Sequence, residues 1–290
     1  MGQDLAASVR ARLLNIAKAE QTDFNAVLVR YVFERFLYRL SQSAHADHFV
    51  LKGAMLFNLW YAMPHRPTRD VDLLGFGASD LGAIAQAFRE IVSVAAADGM
   101  VFDAASVSVE EIRKSAGYAG ARVLVSAELA RACCKTQIDI GFGDAITPGP
   151  VVATYPVLIA DFPAPQLRTY PVYTVVAEKL HAMVLLGMAN SRLKDYLDLW
   201  MLLDREALDP GILARAIAAT FNRRGTLLPT ELPIGLSDEF AGDASRQALW
   251  AAFLRKNGLK AMPLGDVVGA LRQRLQPALG YATSRGADPG

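Results

Sequence analysis

Two short stretches decide how this chain is read: residues 49–54, Phe-Val-Leu-Lys-Gly-Ala, and residues 66–73, Arg-Pro-Thr-Arg-Asp-Val-Asp-Leu. The first is an apolar run that ends in Lys52 and Gly53, which predicts a strand over 48–51 and a helix opened by Gly53 and running to about Tyr61. A helix N-terminus presents free N–H groups and a partial positive charge, both suited to phosphate, and a glycine lets the backbone approach the ligand closely. An ordinary strand-to-helix turn has the same pattern. The second stretch follows a loop broken by Pro64 and Pro67 and reads as a strand from Asp70 to Leu74. Residues i and i+2 of a strand share a face, so Asp70 and Asp72 would repel each other unless a cation lay between them. Mg²⁺ suits such a pair, because it takes oxygen ligands and keeps positions open for water and substrate phosphates. The alternative has Asp70 capping the loop or pairing with Arg66 or Arg69 while Asp72 faces solvent.

Taken together, the stretches form a minimal nucleotidyltransferase pattern: a phosphate-side turn, about fifteen intervening residues, then a strand carrying Asp-x-Asp. In two-metal catalysis a third carboxylate completes the site. Asp139 is the candidate. In Gln137-Ile-Asp-Ile-Gly-Phe-Gly-Asp144, a strand would place Gln137, Asp139 and Gly141 on one face and Ile138, Ile140 and Phe142 in the core. A solvent-side strand residue fits the same position, and Asp144 reads as a turn residue.

Outward from these segments, apolar spacing predicts helices over 4–19 and 23–42, with Asp23 near the N-cap of the second, and over 80–97. Strands are expected near 100–103, 107–112, 121–127 and 136–142. The prolines at 148, 150, 156, 163, 165 and 171 mark 145–171 as a linker. Helices then dominate: 174–188, 192–204, 209–222, 245–257 and 265–276. The expected class is α+β, with a mixed-sheet lobe over 1–165 and a mainly helical lobe over 166–290.

Composition narrows the functional classes. Of 290 residues, 52% are hydrophobic and 20% charged, which excludes general disorder. Mean hydropathy is +0.22, yet no apolar run approaches the roughly 20 residues that span a bilayer, so no membrane is expected. Thirty basic and 29 acidic residues leave a net charge of +1. Any contact with nucleic acid must therefore come from a local patch, and Arg246, Arg255, Lys256, Lys260, Arg272, Arg274 and Arg285 against Asp266 and Asp288 provide one near the C-terminus. A solvated helical surface has the same composition. The only cysteines, Cys133 and Cys134, are adjacent, which rules out a disulfide framework and leaves too few thiolates for a Cys-based zinc site. With no apolar signal segment at the start of the chain, a cytoplasmic protein is expected.

Three blocks make the sequence resemble the nucleotidyl transferase AbiEii/AbiGii toxin family: Leu51-Lys-Gly-Ala-Met-Leu56; Arg66-Pro-Thr-Arg-Asp-Val-Asp-Leu73; and Val176-Ala-Glu-Lys-Leu-His-Ala182 followed by Arg192-Leu-Lys-Asp-Tyr-Leu-Asp-Leu199. Ile138–Asp144 is also similar to the family's. The resemblance implies a polymerase-β-like nucleotidyltransferase core with a helical second lobe. It implies a type IV abortive-infection toxin that binds nucleoside triphosphates and transfers a nucleotide to RNA, with the tRNA acceptor end as target, opposed by an antitoxin that need not bind it. Carried onto this chain, Asp70 and Asp72 become ligands of Mg²⁺ or Mn²⁺ and, with Asp139, Lys179 and Asp195, the catalytic set. Lys52, Gly53, Thr68 and Arg69 become the phosphate side. One departure stands out: Gly53-Ala54-Met55 lacks the hydroxyl residue usual after the family's first glycine.

The third block also has a reading of its own. Lys179 lies on a mostly apolar helix, where it either meets a triphosphate or snorkels to solvent. Asp195 and Asp198 share a face of the next helix, and one of them can pair with Lys179, Arg192 or Lys194. His181 reads as a satisfied helix residue. Two other functions fit parts of the pattern: a nucleotide-binding regulator without turnover, and a glycosyltransferase that holds a nucleotide-sugar through Asp-x-Asp.

Overall fold

The computed structural model describes residues 2–61, 68, 70–77, 79–113, 119–260 and 262–286. The chain forms two compact units. The first comprises residues 1–143 and 151–169, and the second residues 144–150 and 170–290.

The first unit opens with helices α1 (Gly2–Ala19) and α2 (Phe24–Gln42). Asp23 caps α2 by accepting from the Asn25 amide. The sequence then alternates β1 (Phe49–Lys52), α3 (Met55–Trp60), β2 (Val71–Gly75) and α4 (Leu81–Val92), followed by β3 (Val101–Arg113), β4 (Ala119–Leu129), β5 (Ala132–Phe142), β6 (Val151–Thr154) and β7 (Gln166–Thr169). The seven strands make one mixed sheet in the order β3-β4-β5-β2-β1-β7-β6, in which β2–β5 and β1–β7 are parallel pairs. This is the expected α+β class.

Two sequence expectations are corrected. The strands expected at 100–103 and 107–112 are one strand, β3, whose register against β4 shifts between Asp103 and Ser108. The extra residues are held locally: Ser106 donates to the Asp103 carbonyl and accepts from the Ser126 amide. The proline-rich stretch 145–171 is not a linker throughout. It contains β6 and β7, which pair with each other and extend the sheet beyond β1. Its prolines flank these strands, where no ladder hydrogen bond is required of them.

Helix α2 supplies the core from one face with Val27, Leu28, Tyr31, Val32, Phe36, Leu37 and Leu40. It also buries charge. Arg39 forks onto Asp98 at 2.7 and 3.1 Å and donates to the Met100 and Arg35 carbonyls. Glu34 pairs with Arg35 at 2.7 Å and accepts from the Leu158 amide, while Arg35 donates to the Pro163 carbonyl. The Arg39–Asp98 pair is densely partnered, as a buried ion pair requires, whereas Arg35 Nε and Nη1 are buried without a hydrogen bond. Glu34 and Arg35 fix the segment between β6 and β7 onto α2.

The second unit contains α5 (Val172–Leu186), α6 (Leu193–Arg205), α7 (Pro210–Arg223), the single turn α8 (Asp238–Gly242), α9 (Ala244–Lys256) and α10 (Leu264–Gly286). Helix α7 starts in the favoured way, with Asp209 as cap and Pro210 in the first turn. Among the described residues one stretch, Val172–Ala189, is long and apolar enough to cross a membrane. In the fold it is α5 and the short turn after it, a little under half buried, with Val175, Val176, Leu180 and Met183 inside and the helix packed on α6 and α7.

Candidate active site

Strand register in the first unit assembles residues that are far apart in sequence. Lys52 on β1 pairs with Asp72 on β2; Asp72 pairs with Asp139 on β5; Asp139 pairs with Arg122 on β4. Registered partners on neighbouring strands point to the same face. The sheet thus carries a row of alternating sign at its ends and like sign at its centre: Lys52, Asp72, Asp139, Arg122. Asp70, one residue before β2 and two before Asp72, adds a third carboxylate beside the row.

Each member is held in place. Gly53, at φ +75°, follows Lys52, and a Cβ at Gly53 would lie 2.2 Å from Asp72 Oδ2, so the Asp72 carboxylate rests directly against the turn backbone. The helix after this turn begins only at Met55 and is six residues long. Thr68 Oγ1 lies 3.1 Å from Asp70 Oδ1 and 3.2 Å from the Asp70 carbonyl, so its hydroxyl orients Asp70. Arg69 lies outside the described residues. Asp139 is 7% exposed. Arg122 grips it with two parallel bonds, Nε to Oδ1 at 2.9 Å and Nη2 to Oδ2 at 3.0 Å, and Gln137 Nε2 adds a third at 3.1 Å. The Asp139 hydrogen bonds, with lesser help from the charges of Asp139, Glu110 and Asp70, hold the Arg122 guanidinium protonated above its ordinary range. Lys52 is buried at 8% exposure. The sequence pattern did not single out Arg122. Its position opposite Asp139 depends on the β4–β5 register.

The donors suit a divalent cation completed by substrate. Among the described residues no three His, Cys, Asp or Glu side chains form a ready metal cage. Asp70 and Asp72 supply hard oxygen ligands, and Mg²⁺ commonly takes one or two carboxylates plus substrate phosphates rather than an all-protein cage.

The second unit holds its own charged cluster. Lys179 on α5 donates to Asp195 Oδ1 at 2.8 Å and to Asp198 Oδ2 at 2.6 Å on α6. Both aspartates are fully buried. Arg192 Nε lies 2.8 Å from Asp195 Oδ2, close enough to pair by charge but without hydrogen-bond alignment. Lys179 thus engages both aspartates at once, which the spacing had left as alternatives.

Glu178, the residue before Lys179, shares Arg224 with Asp144: Arg224 Nη2 lies 3.2 Å from Asp144 and 3.3 Å from Glu178. Asp144, expected to serve a turn, is an ion-pair partner. Arg224 also approaches His181 Nδ1 at 3.4 Å, and His181 Nε2 meets the Thr226 hydroxyl at 2.9 Å. Because arginine only donates, Nδ1 accepts and Nε2 carries the proton. Burial, then the Arg224 charge, pushes the imidazole down to about 4. His181 is a neutral, partnered core residue.

With this geometry in view, comparison with known proteins is decisive at the family level. The model for "Nucleotidyl transferase AbiEii toxin, Type IV TA system" matches residues 35–276, most of the chain. The chain belongs to the AbiEii toxin family. AbiEii membership makes it a nucleotidyltransferase toxin of a type IV toxin–antitoxin system, which implies a nucleotide substrate and an antitoxin counterpart. A search of curated proteins gave no match. Among solved structures, JHP933 from Helicobacter pylori is similar at TM-score 0.53 and 13% identity, covering 91% of this chain and 96% of that one. A second H. pylori protein, provisionally assigned as a nucleotidyltransferase, is similar at TM-score 0.50 and 14% identity, covering 91% and 98%. At these identities the likeness is one of fold, and it matches the nucleotidyltransferase architecture of the AbiEii family.

Proposed function

We propose that this protein transfers a nucleotide from a nucleoside triphosphate to an RNA hydroxyl, that of the tRNA acceptor end, in a reaction that depends on Mg²⁺ or Mn²⁺. The observation that carries the reading is the row Lys52, Asp72, Asp139 and Arg122 with Asp70 beside it. It gathers carboxylates for a cation and cations for phosphate on one sheet face.

In this reading Asp70 and Asp72 hold the divalent cation, which, when bound, offsets triphosphate charge and polarises the α-phosphate. Lys52 and the backbone of the Gly53 turn face the phosphates, with Thr68 and Arg69 on the loop that leads into Asp70. The acceptor hydroxyl gives up its proton to solvent as its oxygen attacks the α-phosphorus, the bond to the bridging oxygen breaks and pyrophosphate leaves. Asp139 contributes the third carboxylate of the sheet face. In the second unit, Lys179 offsets phosphate charge and Asp195 orients it, an electrostatic role set in advance by fixed partners. The reaction runs in the cytoplasm, where triphosphates and tRNA are at hand, and an antitoxin opposes its effect without having to bind the protein.

The test is incubation of purified protein with Mg²⁺, each α-labelled nucleoside triphosphate and total cellular RNA, alongside Asp70→Ala. Label is expected in a tRNA-sized band and is absent from the variant, which stays folded because it loses one of two neighbouring like charges. Triphosphate binding without label on any RNA would overturn transfer in favour of the regulator. Full transfer by Asp70→Ala would overturn the site.

A further inference from the structure

The Arg122–Asp139 fork has the form of a permanent part of the site. Its two ends are directly registered partners on adjacent antiparallel strands. Both carboxylate oxygens of Asp139 are engaged, at 2.9 and 3.0 Å, and Gln137, two residues earlier on the same face, supports one of them. Asp139 is nearly buried, and its other registered neighbour is Asp72. A bidentate arginine–carboxylate pair is the strongest form of this contact and fixes orientation as well as charge. Bringing a divalent ion onto Asp139 would require either breaking that fork or placing a 2+ charge beside a fixed guanidinium.

We propose that the Arg122 guanidinium occupies the role a second divalent cation would otherwise fill at the third carboxylate, so that each chain takes a single catalytic cation, on Asp70 and Asp72. Asp139 is then a positioning residue that acts through Arg122. The inference rests on the proposed transferase site and adds its metal count and the source of its second positive charge. It also accounts for the distribution of charge along the row. Two adjacent carboxylates, Asp72 and Asp139, are tolerated because Lys52 flanks one and Arg122 the other, each within a strand spacing of about 4.8 Å.

The test is Mn²⁺ titration followed by electron paramagnetic resonance, with full-length protein and a nucleoside triphosphate analogue that cannot be cleaved between its α and β phosphates. Wild type is expected to bind one Mn²⁺ per chain. Arg122→Gln, which keeps a hydrogen bond to Asp139 without the charge, is expected to bind two. Arg122→Lys, which keeps the charge, is expected to remain at one. Two Mn²⁺ in wild type, or one in a folded Arg122→Gln, would overturn the inference and leave the transferase site standing. No bound Mn²⁺ in wild type, or Mn²⁺ binding unaffected by Asp70→Ala, would overturn the inference and the site beneath it together. The wild-type count does not depend on whether any variant folds.

Discussion

Gly53→Ala tests whether the turn and the Asp72 carboxylate work as one object. Gly53 sits at φ +75°, and a Cβ there would lie 2.2 Å from Asp72 Oδ2 and 2.8 Å from its Cβ and Cγ. Two costs follow. The left-handed backbone costs a non-glycine residue on the order of 1 kcal/mol. The clash adds a second cost, because Asp72 must retreat by about 1 Å to reach an ordinary contact, and displacement on that scale from productive geometry can lower a rate roughly 100-fold. The control is Gly258→Ala. Gly258 has φ +63° and open space around the site of its Cβ, so it bears the backbone cost alone. Urea unfolding and nucleotide transfer are measured on both variants. Gly258→Ala should lose on the order of 1 kcal/mol and keep its transfer rate. Gly53→Ala should lose at least as much stability and about two orders of magnitude in rate. Transfer by Gly53→Ala within twofold of wild type would refute the claim that Asp72 must stay against the turn.

Two further expectations concern the second unit. Lys179→Met leaves Asp195 and Asp198, both fully buried, without the ammonium between them, and should cost roughly 3–5 kcal/mol in denaturant unfolding; a loss below about 1 kcal/mol would mean the cluster relaxes freely. Activity lost in that variant is informative only beside its stability. His181, held down to about 4 against an ordinary 6.5, stays neutral in the fold while the unfolded chain takes up a proton below about pH 6.5. Its contribution is full above that pH and is lost as pH falls toward 4, amounting to about 3 kcal/mol at 1.36 kcal/mol per pH unit. His181→Gln should flatten stability against pH between 6.5 and 4, and an unchanged slope would exclude His181 as its source.

What could be read from sequence follows from the range of each interaction. Helix α2 and its Asp23 cap were legible because a cap and an apolar stripe lie within a few residues of each other. The two-residue period of a strand was enough to expect Asp70 and Asp72 on one face, yet β2 begins only at Val71 and leaves Asp70 just outside the ladder. The pairing of β6 and β7 was hidden, since prolines that flank strands look the same as prolines in a linker until the ladder partner is known. The join of the two expected strands into β3 was hidden for a similar reason, because a bulge is defined by its partner strand. Lys179 was legible as a lysine on an apolar helix, but its simultaneous grip on Asp195 and Asp198 depends on how α5 packs on α6.

The sequence by itself therefore determined the α+β class and the family, because each rests on short-range periodicity or on a motif. Only the tertiary structure decided that Asp139 stands in register with Asp72 and is held by Arg122, and that Asp144 and Glu178 share Arg224. Those pairings are set by strand register and helix packing. They join residues from 17 to 80 positions apart, and a shift of one residue in register would turn Arg122 to the opposite face of the sheet.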